Sequence, residues 1–206
     1  LEGYKNEDEN AYRVYTLGEW GHLENLIYPN WRRIERFPEY RELSAWGYGL
    51  DFGYIAPMAL VEIGLGHQNE LYIRELVYQT HMGTNELIES MKDLPKRKVW
   101  CDSALPQSIA ELCAAGILAE KANKDVQSGI NTCRRQTIYV SKDSPNIIKE
   151  ISAYQRRVKD GIVLEEPVKA NDHALDAMRY GVMGLMEQQG FPVAQTAARG
   201  REYREY

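Results

Sequence analysis

Two aspartates stand in sequence surroundings that predict buried strands. Asp51 lies within an apolar run over residues 46–53 that glycines interrupt, and an unpaired charge in such a run is costly. Asp102 follows the apolar run 98–101, at the predicted carboxyl end of a strand, where open α/β sheets place the residues that handle ligands. Each also has a purely structural explanation, because Asp51 could cap a turn at a sheet edge and Asp102 could cap the helix that Pro106 opens.

A third acidic group falls on the predicted closing helix. At about 100° per residue, Asp172, Asp176 and Arg179 share one helical face, and His173 lies between that face and the apolar one. The apolar face would pack on a sheet, and it comprises Leu175, Met178, Val182 and Leu185. An ordinary amphipathic helix with an acidic first turn would have the same pattern.

Carboxylates from two strands and one helix favour a site for hard cations. Carboxylate oxygens are the ligands that Mg²⁺ and Mn²⁺ prefer. Two such ions about 4 Å apart can orient a water molecule and stabilise the leaving oxygen in phosphodiester hydrolysis. The cysteines Cys101, Cys113 and Cys133 lack the spacing of a zinc site, and we predict that they are reduced thiols.

The composition predicts a folded domain without a membrane segment. The chain has 206 residues, 44% of them hydrophobic, which is enough for one core with extensions. No apolar run is long enough to cross a bilayer, and the first residues lack signal-peptide character. The net charge of −5 counts weakly against a DNA-binding role, although bound cations would offset a cluster of carboxylates.

The hydrophobic pattern predicts an antiparallel meander followed by alternating helices and strands. Three strand-like runs with short connections cover residues 46–53, 58–65 and 71–78. The later alternation implies parallel pairing through right-handed crossovers, hence an α/β fold with a mixed sheet flanked by helices. This element order resembles that of the ribonuclease-H-like fold. We predict helices capped by Thr84, Asp125 and Ser144 and a helix that Pro106 opens, strands over residues 98–101, 117–119 and 137–140, a hairpin turn at 159–161, and a final helix capped by Asn171.

Several of these segments resemble the nuclease domain of tailed-phage large terminases, a member of the ribonuclease-H-like superfamily. One is Cys-Asp-Ser-Ala at 101–104, followed by Gly-Ile at 116–117, and another is Asn-Asp-His-Ala-Leu-Asp-Ala-x-Arg-Tyr at 171–180. Upstream, Leu-Gly-Glu-Trp-Gly at 17–21 and Ile-Tyr-Pro-Asn-Trp at 27–31 resemble the segment that joins these domains to their ATPase. The similarity therefore extends over most of the chain.

The resemblance implies a role for each acidic residue. Asp51 would be the central carboxylate that bridges two metal ions, Asp102 would bind one ion from its strand end, and Asp176 would bind the other from the last helix. His173 matches an accessory active-site position. Asp172 matches a variable position and ranks below the others as an accessory residue.

The resemblance also implies a substrate and partners. The family packages viral genomes with an N-terminal ATPase and a C-terminal nuclease that cuts concatemeric DNA, so we expect a DNA endonuclease that uses two Mg²⁺ or Mn²⁺ ions. Lys121 and Lys124 lie where the family places DNA-facing residues. The expected partners are double-stranded DNA, the terminase ATPase domain of a full-length chain, the small terminase subunit and the portal protein. We expect no membrane contact and action in the host cytoplasm during virus assembly.

One family feature is missing from this sequence, and two other functions fit it. No Gly-x-x-x-x-Gly-Lys-[Ser/Thr] phosphate loop occurs, so we expect cleavage without ATP hydrolysis. Weakly patterned polar flanks predict a linker or arm over residues 1–45 and a flexible tail over 187–206, with the nuclease domain over 46–186. The alternatives are another ribonuclease-H-like nuclease, such as a junction resolvase, and a non-catalytic docking module of the packaging motor. A docking module would have no need for three costly carboxylates.

Overall fold

The computed structural model describes residues 25–190, which form a mixed sheet with helices on both faces. The strands of this sheet are β1 (Arg32–Ile34), β2 (Ala45–Asp51), β3 (Met58–Leu65), β4 (Glu70–Gln79), β5 (Lys98–Cys101), β6 (Leu118–Lys121) and β7 (Thr137–Ser141). The helices are α1 (Thr84–Ser90), α2 (Pro106–Ala114), α3 (Val126–Arg134), α4 (Pro145–Ala153) and α5 (His173–Gln188). A separate hairpin of β8 (Arg156–Lys159) and β9 (Ile162–Pro167) precedes α5.

The seven strands lie in the order β1-β7-β4-β3-β2-β5-β6. The β2, β3 and β4 strands form an antiparallel meander, and the other neighbouring pairs are parallel. The central strand, β3, is buried along its whole length, which explains why its sequence is a nearly continuous apolar run. The predicted α/β fold, with its three antiparallel strands followed by alternating helices and parallel strands, is confirmed.

Two apolar layers cover the two faces of the sheet. On one face α3, α4 and α5 pack against a cluster that includes Ile63, Ile73, Val140, Leu175 and Met178. On the other face α1 and α2 pack against a cluster that includes Leu50, Leu60, Leu87, Val99 and Leu112. None of the helices within residues 25–190 has the length and apolar character that a bilayer-spanning segment needs.

The closing helix lies unusually close to the strand that carries Asp51. A Cβ atom built on Gly49 of β2 would overlap the backbone carbonyl of Ala177 in α5, and one built on Gly181 would overlap the side chain of Ile63. Only glycine allows this approach, because it has no side chain to separate the two backbones. Gly49 of β2 and Gly181 of α5 therefore let the closing helix approach β2 closely.

Two helix starts differ from the sequence prediction. The N-cap of α1 is Gly83 and not Thr84, and the Glu86 carboxylate accepts a hydrogen bond of 2.7 Å from the Gly83 backbone N–H. The N-cap of α5 is Asp172 and not Asn171, because Asn171 adopts a left-handed conformation with φ of 49° that ends the preceding loop. The predicted cap at Asp125 is confirmed, since its carboxylate accepts from the Ser128 N–H at 2.6 Å.

Part of the segment predicted as a linker contributes to the sheet. Strand β1 pairs in parallel with β7 at the sheet edge, and Ile27 and Tyr28 are buried in the core. Short edge strands of polar residues have a weak pattern, which is why the sequence did not reveal β1. Residues 17–21 and the predicted tail beyond residue 190 lie outside the described part of the chain, so the domain boundaries stay predictions. The hairpin turn is confirmed, with positive φ at Asp160 and Gly161.

Candidate active site

Asp51 and Asp102 lie side by side at one edge of the sheet. They follow paired positions in the neighbouring parallel strands β2 and β5, where Leu50 is opposite Cys101. The Asp102 backbone N–H donates to the Leu50 carbonyl at 3.0 Å, which extends the pairing to the residues themselves. The parallel register thus brings together two aspartates that are far apart in sequence, at the carboxyl ends of their strands.

The first turn of α5 adds His173 to this edge. Its Nδ1 lies 3.0 Å from Oδ2 of Asp51, and the close packing of α5 on Gly49 holds it there. The Asp51 residue is only 6% exposed, so its carboxylate has lost most of its hydration.

Charges around Asp51 act on its pKa in both directions. Burial raises the pKa of Asp51, the hydrogen bond and charge of His173 lower it, and the neighbouring carboxylates of Asp102 and Asp172 raise it again. The hydrogen bond to Asp51 raises the pKa of His173 above its usual value. Asp172, at the N-cap of α5, is therefore close enough to influence this site.

Asp102 is held by two contacts to the same oxygen. Its Oδ1 accepts a hydrogen bond from the Ala104 N–H at 2.9 Å and lies 2.6 Å from the ammonium of Lys124. The second oxygen, Oδ2, takes part in neither contact. The sequence predicts that Lys124 faces DNA, and the structure places its ammonium on a candidate metal ligand, whereas Lys121 is exposed at the end of β6.

Asp176 has a different partner. Its carboxylate forms an ion pair with Arg179, one turn further along α5. The Arg179 residue is 2% exposed, and its guanidinium also donates to the Tyr154 hydroxyl at 2.9 Å. The structure thus groups Asp51, Asp102 and His173, with Asp172 near them, while Asp176 is engaged by a buried arginine.

Three solved structures of large terminases or their nuclease domains resemble this chain in fold. The large terminase of a thermophilic bacteriophage matches with a TM-score of 0.65 and 25% identity, over 93% of this chain and 51% of that one. The P22 large terminase nuclease domain matches with a TM-score of 0.62 and 19% identity, over 74% of this chain and 87% of that domain. The large terminase nuclease of thermophilic phage G20c, solved with bound magnesium, matches with a TM-score of 0.54 and 14% identity, over 77% of this chain and 97% of that one.

The chain has the large-terminase nuclease fold. This confirms the resemblance inferred from the sequence. The terminase-like chain spans about half of the first of these three proteins, since the match covers 51% of that protein's length. No protein-family profile and no curated protein matches the sequence.

The carboxylates of this candidate site suit a divalent cation by their chemistry. Asp51 and Asp102 offer hard oxygen ligands, their mutual repulsion is of the kind that a bound cation relieves, and a cation, the Lys124 ammonium, already lies on Asp102. Asp51, Asp102 and Asp176 do not surround a common point. Within residues 25–190 no three His, Cys, Asp or Glu side chains are placed to hold an ion together. Asp176 would have to leave Arg179 to join the other two.

Sequence reasoning missed one buried residue that contacts the first turn of α5, the helix that carries His173. Glu150 of α4 is 3% exposed, and its carboxylate accepts from the Leu175 N–H at 3.0 Å and from the Tyr78 hydroxyl at 2.7 Å. Burial raises its pKa to about 7. Glu150 thereby caps the first turn of α5 from a neighbouring helix. The available signal was its spacing, since it falls on the same face of α4 as the buried Ile147 and Ile151.

Proposed function

We propose that this domain is a divalent-metal-dependent endonuclease that cuts double-stranded DNA during viral genome packaging. The observation that carries the proposal is the pairing of Asp51 and Asp102 at adjacent strand ends, next to His173, on the large-terminase nuclease fold. Mg²⁺ or Mn²⁺ are the ions that such carboxylates would take. The G20c nuclease, which shares the fold, was solved with bound magnesium, and this supports the choice.

In this proposal Asp51, Asp102 and Asp176 hold two metal ions. Ions bound in this way supply a nucleophilic water and stabilise the leaving oxygen of the scissile phosphodiester. The buried Asp51 carboxylate is the central ligand, because it is the least hydrated of the three and lies between Asp102 and His173. Asp102 contributes from its strand end, and Asp176 contributes after separating from Arg179.

The remaining groups orient a water molecule, hold a proton, add charge or contact the DNA. His173 directs Nδ1 at Asp51, which fixes the imidazole and leaves Nε2 to orient a water molecule or hold a proton at the site. Asp172 adds negative charge at the start of α5 as an accessory group. Lys121, exposed on the strand next to β5, is proposed to contact the DNA backbone.

The partners proposed for the full-length protein are those of a packaging motor. The match to about half of a thermophilic-phage large terminase suggests an ATPase domain in the same full-length chain. Family resemblance adds the small terminase subunit and the portal protein. With a net charge of −5, we expect this domain alone to bind duplex DNA weakly, and salt should weaken the binding further.

Metal-dependent cleavage of plasmid DNA tests the proposal. We expect the purified chain to nick and linearise supercoiled plasmid in Mn²⁺ and in Mg²⁺, and to lose this activity in excess EDTA. Linear duplex should be cut at least as well as a four-way junction. Undiminished cutting in EDTA would refute the metal dependence, and a strong preference for the junction would favour a resolvase.

A further inference from the structure

The loop after β6 is built so that the Lys124 ammonium lies on Asp102. The Ala122 N–H donates to the Cys101 carbonyl at 2.8 Å, which fixes the start of this loop beside the end of β5. The Asn123 side chain accepts from the Asp125 N–H at 3.0 Å, and Asp125 in turn caps α3. Lys124 therefore stands on a turn that is anchored on both sides, with its Nζ 2.6 Å from Asp102 Oδ1.

This ion pair differs from the other lysine ion pairs of the described residues in the burial of its carboxylate. The Asp102 side chain is 16% exposed, whereas the carboxylates paired with Lys92, Lys98 and Lys142 are 65%, 48% and 87% exposed. Water screens those three pairs, and such pairs contribute little. Asp102 has lost more of its hydration, so the ammonium compensates for part of that loss.

The same carboxylate is a metal ligand in the proposed function, on which this inference rests. An ammonium and a divalent cation bound to the same carboxylate lie within a few Å of each other, so they repel each other and compete for its negative charge. We infer that Lys124 is an exchangeable counter-ion, which neutralises Asp102 in the metal-free protein and leaves Oδ1 when a divalent cation binds to this carboxylate.

Two consequences follow from the exchange. The free energy of breaking the ion pair opposes metal binding, so the wild-type affinity is lower than the carboxylates alone would give. The opposition depends on Asp102, and a lysine paired with another carboxylate does not produce it. Lys98 provides the matched comparison, because it forms an exposed ion pair with Glu120 at the opposite end of β5 and its removal changes the net charge equally.

The test is calorimetric titration of Mn²⁺ into the full 206-residue chain, with thermal melting in EDTA as the folding control. Lys124→Ala should bind Mn²⁺ about fivefold more tightly than wild type, which corresponds to a partly exposed ion pair. Lys98→Ala should change the affinity by less than about twofold, as expected for a screened charge. Lys124→Arg should bind no more tightly than wild type. In the Asp102→Asn background, Lys124→Ala should not increase the affinity for Mn²⁺.

The possible failures are distinguishable. If wild type binds Mn²⁺ and a folded Lys124→Ala binds it equally or more weakly, the inference is wrong and the proposed metal site stands. An equal gain in affinity from Lys98→Ala, or a gain that persists without Asp102, would also overturn the exchange. If neither wild type nor Lys124→Ala binds Mn²⁺, the proposed function itself fails, and the inference fails with it.

Discussion

Nδ1 of His173 lies 3.0 Å from Oδ2 of Asp51, although 122 positions separate the two residues in the chain. The contact joins the end of strand β2 to the first residue of α5. It also accounts for the pKa of His173, which the hydrogen bond to Asp51 raises. In the proposed function His173 orients the carboxylate and is not itself a metal ligand.

Replacing His173 should therefore weaken cleavage without ending it. We expect His173→Ala to reduce plasmid nicking in Mn²⁺ by about 10- to 100-fold, the usual effect of losing a group that orients a metal ligand. The measurement is the initial rate of nicking with the thermal midpoint as the folding control. A fully active His173→Ala protein would exclude this orienting role.

Asp176 has both a proposed ligand role and a structural role. Asp176→Asn leaves the buried Arg179 without its counter-charge, so we expect a loss of about 2 kcal/mol in the free energy of unfolding together with loss of cleavage. The double variant Asp176→Asn/Arg179→Met removes the unpaired charge and should regain most of the stability while remaining inactive. If the double variant is both stable and active, Asp176 is not a metal ligand.

Asp172 provides the comparison on the same helix. It is the N-cap of α5, and it acts on Asp51 only through its charge. The Asp172 side chain makes no capping hydrogen bond, so Asp172→Asn removes only a charge, and we expect most of the cleavage activity to remain. An inactive, folded Asp172→Asn protein beside an active Asp176→Asn protein would reverse the ligand assignment on this helix.

Glu150 should make the stability of the domain depend on pH. Its pKa is about 7 in the folded protein against an ordinary value of 4.5, so the folded state retains the proton longer than the unfolded state does. The contribution of Glu150 to stability is therefore full below about pH 4.5 and declines as the pH rises towards 7. Glu150→Gln should melt at the same temperature as wild type near pH 4.5 and at a higher temperature at pH 8.

The size of this difference should be on the order of 3 kcal/mol at pH 8. Melting curves from pH 4.5 to 8 for both proteins isolate the Glu150 contribution, because the other titrating groups are common to both. Glu150→Ala is the control for the hydrogen bonds, and it should be destabilised at every pH since the Leu175 N–H loses its acceptor. A constant offset between Glu150→Gln and wild type across this range would contradict the raised pKa.

The fold could be predicted largely from hydrophobic pattern and turn residues. Strand β3 has the bounds that the sequence predicts, because an unbroken apolar run between turn signals has few alternatives. Strand β1 was missed because two arginines and one isoleucine at a sheet edge carry no such pattern. Gly83 was missed as a cap because its contribution is a backbone N–H, which the side-chain pattern does not report.

The site was predictable in part. Asp51 and Asp102 were recognisable because a carboxylate in or directly after an apolar strand is unusual. The contacts of Lys124 and Glu150 were not, since each depends on a separate element that packs against the site in three dimensions. The ion pair of Asp176 could be predicted from the sequence, because Arg179 lies three residues further along the same helical face.

The close approach of α5 to β2 predicts that a side chain added at this contact destabilises the domain. Gly49→Ala should destabilise the domain by about 3 kcal/mol or more, because the added methyl group collides with the Ala177 backbone, which has no alternative rotamer. Gly83→Ala is the matched control, since its Cβ would lie 3.8 Å from the Glu86 carboxylate and φ there is −87°. It should lose no more than about 1 kcal/mol. Equal melting temperatures for the two variants would disprove the tight packing.

The central claim, that Asp51 and Asp102 form the metal-binding centre of a nuclease, is tested most directly by plasmid cleavage with single aspartate replacements. Supercoiled plasmid is incubated in Mn²⁺ with wild type, Asp51→Asn, Asp102→Asn and, as a control for loss of one exposed carboxylate, Asp93→Asn. We predict that Asp51→Asn and Asp102→Asn are folded and lose at least about 100-fold in rate, while Asp93→Asn cuts like wild type. Wild-type cutting by a folded Asp51→Asn protein would contradict the account.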